Sequence, residues 1–163
     1  MSEPVRLPQG QVTFLFTDIE GSTRLAHILG DGYRGVLTEH RRLLHDALAA
    51  GRGTTISVEG DALFVAFPDA GAALAACAAA QRALAAHPWP DPAARPLVRM
   101  GLHTGPASPI GSEYTSMEVH RAARVAAAAH GGQVLCSAAT AAASGLPLRA
   151  PAAGSAAEPA GED

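Results

Sequence analysis

Two aspartates in this 163-residue chain stand next to apolar runs that could hold them rigidly. Asp18 closes the apolar residues 12–17, and Asp61 opens the apolar residues 63–67 at the bend of a candidate hairpin. Short apolar runs of this kind are typical of buried strands. Two carboxylates held on rigid strands can bind divalent cations, which prefer oxygen ligands, and can present these cations to phosphate oxygens. The spacing therefore indicates metal-assisted phosphate chemistry.

A turn-and-cap cluster follows Asp18 directly. It consists of Glu20, Gly21, Ser22 and Thr23, and helical spacing of apolar residues begins just after it. The first backbone N–H groups of a helix have no acceptor within the helix, and the positive end of the helix dipole attracts anions. These residues are therefore candidates for binding phosphate. Two simpler interpretations stay open: Asp18 could cap the helix, and Asp61 could be an ordinary turn residue.

The elements that would position these residues alternate between strands and helices. We expect a strand at 12–17, two helices within 22–49 separated at 30–32, a hairpin at 54–58 and 63–67, and an alanine-rich helix at 69–86. A strand at 97–103, a helix at 116–130 and a strand at 133–137 follow. This order predicts an α+β fold, a ferredoxin-like sandwich in which helices pack on an antiparallel-rich sheet.

Length and composition are typical of one globular domain, which we place at residues 11–149, after a short lead at 1–10. Residues 150–163 are rich in Ala, Pro and Gly, and we expect a disordered tail there. The net charge is −3, which argues against a nucleic-acid partner. No apolar run reaches membrane-spanning length, so we expect no membrane partner and a cytoplasmic protein. All twelve basic residues are arginines.

Two further motifs complete a recognisable set. They are residues 98–105, Val-Arg-Met-Gly-Leu-His-Thr-Gly, and residues 119–124, Val-His-Arg-Ala-Ala-Arg. Together with the two aspartate motifs, they resemble the catalytic domain of class III nucleotidyl cyclases, in the same order, over residues 12–137. The chain is similar to a divergent, bacterial-type, single-domain member of this family. The resemblance implies cyclisation of a nucleoside triphosphate to a 3′,5′-cyclic nucleotide and pyrophosphate, a reaction of cyclic-nucleotide signalling.

The resemblance also implies a two-metal site, with two Mg²⁺ or Mn²⁺ ions, at the interface of a head-to-tail homodimer. In that site Asp18 and Asp61 would bridge the ions and the carbonyl of Ile19 would be a further ligand. Arg124, contributed by the partner subunit, would stabilise the transition state. His120 stands where the family has an asparagine that orients the ribose. On the residues alone, His120 could be a surface histidine and Arg124 a salt-bridge partner on a helix face.

The base-recognition positions depart from the family pattern. Ser57 occupies the position of a lysine that reads the purine, and Glu113 occupies the later base-reading position. The family has another lysine that contacts the triphosphate, whereas this chain has none. ATP is the first expected substrate, with GTP or a pyrimidine triphosphate as alternatives. The departures also keep open a second hypothesis, a catalytically degenerate cyclase-like module that binds nucleotides or dimerises.

Overall fold

The computed structural model describes residues 6–150, so the predictions for residues 1–5 of the lead and 151–163 of the tail lie outside the described residues. Five strands form in this range: β1 (Gly10–Ile19), β2 (Thr54–Glu59), β3 (Ala62–Phe67), β4 (Val98–Ala107) and β5 (Val134–Cys136). The α-helices are α1 (Ser22–Leu29), α2 (Tyr33–Ala50), α3 (Ala70–Ala86), α4 (Met117–Ala128) and α5 (Ala138–Ser144). Short 3₁₀ turns occur at Gly30–Gly32 and Pro92–Ala94.

The strands form one sheet in the order β2-β3-β1-β4-β5. The pairs β2–β3, β3–β1 and β1–β4 are antiparallel, and β4–β5 is parallel. The first four strands and the helices between them follow the βαββαβ pattern of a ferredoxin-like sandwich. The predicted α+β fold with an antiparallel-rich sheet is therefore confirmed.

Both faces of the sheet are buried, but to different extents. Side chains alternate along a strand, so Leu15, Val65 and Met100 lie on one face, in a core that also includes buried residues of α2 and α3. The opposite face carries Val12 and Phe14 and packs on α4. We call this second side the α4 face. Helix α4 packs on β4 and β1, so the half of the α4 face formed by β2 and β3 carries no helix among the described residues.

Two differences from the sequence-based expectation stand out, besides shifts of one or two residues at other element ends. Strands β1 and β4 are longer than predicted, because they pair with each other along their whole length. Helix α5 was not predicted, since its sequence of Ala, Thr and Ser resembles the low-complexity stretch that follows. Its start is set by Ser137, whose side chain accepts a hydrogen bond from the Thr140 amide. The predicted break between the first two helices is confirmed at Gly30–Gly32.

None of the helices within residues 6–150 has both the length and the apolar character needed to cross a bilayer.

Helix α4 lies unusually close to β4 at two glycines. A Cβ atom at Gly101 would lie 2.1 Å from the amide nitrogen of Ala126, and one at Gly105 would lie 2.4 Å from Oε2 of Glu118. The contact is reinforced by His103 of β4, whose Nε2 bonds the Glu118 carboxylate and whose Nδ1 lies 2.7 Å from the Ser137 hydroxyl. The close packing of α4 on the sheet therefore requires glycine at position 101, where the backbones meet, and at position 105, where the Glu118 side chain lies.

We predict that Gly101→Ala lowers the free energy of unfolding by about 1–3 kcal/mol or more, because overpacking at a backbone contact forces α4 away from β4. Gly35→Ala is the matched control. Gly35 lies inside α2, and a Cβ there meets nothing within 4 Å, so alanine should stabilise the helix slightly. Urea unfolding of both variants tests this. Equal stability of Gly101→Ala and wild type would show that the close contact does not constrain α4.

A second buried feature is His40 of α2, which is 0% exposed. Its Nδ1 lies 3.3 Å from the Leu37 carbonyl, and its Nε2 has no partner among the described residues. Burial lowers the pKa of His40, and the Leu37 carbonyl and the Asp61 carboxylate oppose this only in part. The imidazole is therefore expected to be neutral in the folded chain at neutral pH.

This burial makes stability depend on pH. The unfolded His40 has its ordinary pKa of 6.5, and the folded value is lower. Its contribution to stability is therefore fully present above pH 6.5 and is lost as the pH falls toward the folded pKa, because the unfolded chain takes up the proton first. His40→Leu should flatten this decline, whose slope for one proton is at most about 1.4 kcal/mol per pH unit.

The measurement is the urea midpoint of unfolding at several pH values between about 7.5 and 5. This is the interval in which the unfolded chain protonates His40. His45→Gln is the control, because His45 is exposed on the same helix; it should keep the wild-type pH dependence. An equally steep decline in His40→Leu would assign the pH dependence to other groups.

Candidate active site

Asp18 lies at the carboxyl end of β1, directly opposite Arg99 of β4. The guanidinium of Arg99 donates two hydrogen bonds to this carboxylate: Nε lies 2.6 Å from Oδ1 and Nη2 lies 2.7 Å from Oδ2. The bond to Asp18 is the main cause of a raised pKa for Arg99. The alternative in which Asp18 caps α1 is wrong, because its side chain is held by Arg99 and the residue at the cap position is Gly21.

Asp61 reaches the same end of β1 from the turn between β2 and β3. Its Oδ2 accepts a hydrogen bond of 2.7 Å from the amide of Ile19, the residue next to Asp18. The turn itself is held by Arg41 of α2, whose Nη2 donates to the carbonyl of Gly60. Two acids that are far apart in sequence therefore contact adjacent residues of one strand. Asp61 lies in the turn and also bonds β1, so both its interpretation as a turn residue and its assignment as a metal ligand stay open.

The start of α1 follows immediately. Gly21 occupies the cap position with a φ of 62°, in the left-handed region that favours glycine. The first intrahelical bond runs from the Leu25 amide to the Gly21 carbonyl at 2.9 Å. The amides of Ser22, Thr23 and Arg24 therefore have no acceptor within the helix. Such an arrangement can bind an anion, and its first amide, that of Ser22, follows Asp18 by four residues.

Glu20 departs from the expectation for this loop. Its amide donates to the Leu97 carbonyl at 2.8 Å, because the chain continues to pair with the residue before β4 after β1 ends. Its side chain lies against Gly131. The Glu20 amide is therefore not available to phosphate, contrary to the sequence-based prediction.

His120 and Arg124 lie one turn apart on the exposed side of α4. The opposite side of the helix carries the buried Ala122 and Ala126, which face the sheet. Neither His120 nor Arg124 forms a hydrogen bond or ion pair with another described residue. The interpretation of Arg124 as a salt-bridge partner within the described chain is therefore wrong. Both side chains therefore lie on the side of α4 that faces away from the sheet.

The two candidate base-contacting residues are not brought together. Ser57 of β2 pairs with Phe64 of β3, whose ring stacks on Phe16 at a centroid distance of 4.5 Å, on the half of the α4 face without a helix. Glu113 lies in the exposed segment before α4, where its backbone pairs with Ile110. No hydrogen bond joins Ser57 to Glu113 within residues 6–150. Their assignment stays a prediction.

Sequence reasoning missed Arg99 and Arg41. Arg99 carries a signal that could have been used: it is the one charged residue between the core positions Val98 and Met100, so strand alternation directs it to the α4 face. Its partner could then be inferred only from the register of β4 against β1. Arg41 carries no such signal, because one more arginine on an amphipathic helix is typical of a solvated face.

The donor atoms around Asp18 fit a hard divalent cation in type. Two carboxylates and the nearby carbonyl of Ile19 are all oxygen donors, as Mg²⁺ and Mn²⁺ prefer. Within residues 6–150 there is no cluster of three or more His, Cys, Asp or Glu side chains able to hold a metal ion. Any cation bound here would therefore need backbone, water or substrate oxygens as additional ligands.

Comparison with known proteins gives a consistent result. No family model matches the chain. An adenylate cyclase of Mycosarcoma maydis is 35% identical over 161 residues, which covers 84% of this chain and 6% of that protein. An uncharacterized protein of Mycobacterium tuberculosis is 32% identical over 136 residues, which covers 82% of this chain and 45% of that protein. The chain thus spans a small part of the fungal relative and less than half of the mycobacterial one.

Solved structures agree with the sequence relatives. An adenylate cyclase of Trypanosoma brucei, analysed in its monomeric state, superposes with a TM-score of 0.76 at 24% identity, covering 83% of this chain and 77% of that one. The adenylyl cyclase CyaB of P. aeruginosa gives a TM-score of 0.67 at 23% identity, with 85% and 82% covered. With the motifs, the topology and these likenesses in agreement, the chain belongs to the class III adenylate/guanylate cyclase catalytic-domain family.

Proposed function

We propose that the chain cyclises a nucleoside triphosphate to a 3′,5′-cyclic nucleotide with release of pyrophosphate. The observation that carries this proposal is the meeting of Asp18 and Asp61 at the end of β1, where the first free amide of α1 follows Asp18 by four residues. Acids that can hold cations and amides that can hold phosphate are what such a reaction requires. Positioning and charge neutralisation, rather than covalent catalysis, carry phosphoryl chemistry of this kind.

In this proposal Asp18, Asp61 and the carbonyl of Ile19 hold two Mg²⁺ or Mn²⁺ ions. Bound there, the ions supply charge neutralisation and an acidified 3′-hydroxyl. The chain's own part is to bind and orient the triphosphate. The amides of Ser22 and Thr23, together with Gly21, hold the β- and γ-phosphate oxygens at the positive end of α1.

We further propose that two copies of the chain share each site, in a head-to-tail homodimer. Arg124 and His120 of one subunit complete the site formed by the acids of the other. Their exposure, their lack of partners and their outward direction on α4 support this arrangement. The ring of Phe16, which stacks on the buried Phe64 and is itself only half-buried, supports it as well, because exposed apolar area favours contact with a second chain. Arg124 would stabilise the charge on the α-phosphate, and His120 would orient the ribose.

ATP is the first proposed substrate, because the curated relatives whose activity is named are adenylate cyclases. GTP and pyrimidine triphosphates are alternatives, since guanylyl cyclases are also among the structural neighbours. Ser57 and Glu113 are the residues we propose to contact the base. The hydroxyl of Ser57 can donate or accept a hydrogen bond, whereas ionised Glu113 can only accept.

A second candidate function is a cyclase-like module that binds nucleotides or dimerises without turnover. Three observations favour it: the chain has no lysine, His120 replaces an asparagine of the family, and both oxygens of Asp18 are engaged by Arg99. The two candidates differ in a single measurable outcome, the appearance of a cyclic product.

The first test is an assay of purified protein with each of the four nucleoside triphosphates and Mn²⁺. We expect a cyclic product from at least one of them, and a decrease of about 100-fold or more in Asp61→Ala, because a lost metal ligand removes several kcal/mol of transition-state stabilisation. Asp46→Ala removes an exposed acid of α2 and should keep wild-type activity. Absence of product from every triphosphate at high protein concentration would leave the binding module.

The second test concerns the shared site. Asp61→Ala and Arg124→Ala chains, each inactive alone, should regain activity when mixed, because one site of a mixed dimer receives intact acids from one chain and an intact arginine from the other. Random pairing makes about half of the dimers mixed, so recovery should approach roughly a quarter of wild type. Mixing Asp18→Ala with Asp61→Ala is the control, since both lesions then lie in the acidic half and no site is restored. Recovery absent in the first mixture, with mixed dimers present, would contradict a shared site.

A further inference from the structure

We infer that Arg99 is an internal counter-ion that competes with divalent cations for Asp18 and so lowers the metal affinity of the nucleotide-free chain. This inference rests on the proposed function, in which Asp18 is a metal ligand. Of the ion pairs within residues 6–150, the pair of Arg99 and Asp18 is the one that includes a candidate metal ligand.

The geometry sets Arg99 and a divalent cation in competition for the Asp18 carboxylate. Arg99 donates from Nε and Nη2 to the two different oxygens of Asp18, at 2.6 and 2.7 Å. Such a paired arrangement matches the planar shape of the carboxylate and occupies one lone pair of each oxygen. A cation that approaches Asp18 must use the remaining lone pairs or replace one of these hydrogen bonds, and in either case it lies close to the Arg99 charge.

The backbone keeps Arg99 in place. Asp18 and Arg99 are opposite each other in a β1–β4 pairing that extends from Gly10 opposite Ala107 to Ile19 opposite Val98. A shift of this register would turn the buried side chains of both strands to the wrong face. The pair can therefore separate by side-chain rotation but not by a movement of the backbone, and the 30% exposure of the Arg99 side chain leaves it room to rotate.

Electrostatics favours the resting pair. Asp18, Glu20 and Asp61 all raise the pKa of Arg99, with Asp18 contributing most. A guanidinium is charged at every accessible pH, so Arg99 acts as a permanent cation among three acids. A divalent ion that enters this group brings a second positive charge beside the first, and their repulsion adds to the cost of breaking the pair.

The test measures metal binding in the absence of nucleotide. Mn²⁺ is titrated into wild type and Arg99→Gln, and binding is followed by calorimetry and by the electron paramagnetic resonance signal of free Mn²⁺. We expect Arg99→Gln to bind Mn²⁺ about tenfold more tightly, which corresponds to the lower end of the range for a charge-assisted hydrogen bond. Arg42→Gln removes the same charge from an exposed ion pair on α2 and should bind as wild type does.

The double variant Arg99→Gln/Asp18→Ala should lose the increase in Mn²⁺ affinity, because the carboxylate that Arg99→Gln frees is then absent. If Arg99→Gln does not fold, Arg99→Lys takes its place; it keeps the charge but cannot contact both oxygens in the same way, so it should bind more tightly than wild type by a few-fold. A second readout is the Nε–H NMR signal of Arg99. It should shift during a titration with Mg²⁺, and the midpoint of this shift should equal the midpoint of Mg²⁺ binding measured by calorimetry.

The outcomes separate this inference from the proposed function. Equal Mn²⁺ affinity in wild type and Arg99→Gln, with binding that Asp18→Ala abolishes, would overturn the counter-ion and leave the metal site intact. A gain that persists in the double variant would also overturn it, because the new binding would lie elsewhere. No Mn²⁺ binding in either protein would overturn both the counter-ion and the metal ligands proposed above.

Discussion

The pairing of β1 with β4 is the constraint on which the rest of the structure depends. It runs over the full length of both strands and sets Asp18 opposite Arg99, Phe16 opposite Gly101, and Phe14 opposite His103. The first pair is the ion pair at the candidate site. The second places Gly101 where α4 packs closely on β4, and the third places His103 where it bonds Glu118 of α4. A slip of one residue would exchange the faces of the strands and remove all three at once.

The two faces of the sheet have different roles: one forms the main core, and the other carries candidate site residues. The face that packs on α2 and α3 buries the main core and holds the strands rigid. The α4 face carries the acids at one end, and α4 covers only β4 and β1. The same helix turns His120 and Arg124 outward. A single chain places the acids at the end of β1 and Arg124 on the side of α4 that faces away from the sheet, which is the physical basis for proposing a second subunit.

Charge at the end of β1 is balanced by arginine. Three acids of different segments, Asp18, Glu20 and Asp61, act on Arg99, and Arg41 holds the turn that carries Asp61. In a chain without lysine, these guanidinium groups supply positive charge in direct contact with Asp18 and with the turn that carries Asp61. Because a guanidinium can bond two carboxylate oxygens at once, it orders the acids more strongly than a point charge would.

The sequence by itself determined the fold class, the order of the elements and the two acidic motifs. These follow from local signals: apolar periodicity for strands and helices, Gly30 and Gly32 for the break between α1 and α2, and short motifs around Asp18 and Asp61. The helix α5 escaped detection because its alanine-rich sequence has no apolar period. The length of β1 and β4 escaped as well, because pairing extends a strand beyond its apolar run.

Only the tertiary structure decided what the acids contact. That Asp18 bonds Arg99, that Asp61 bonds the Ile19 amide, and that the Glu20 amide is already taken by Leu97 all depend on strand register and loop closure. Local composition carries no information on such contacts, because they join residues distant in sequence whose approach is set by the packing of the whole sheet. The exposure of Arg124 was decided in the same way. The close contact of Ala126 with Gly101 fixes which side of α4 faces the sheet, and Arg124 lies on the other side.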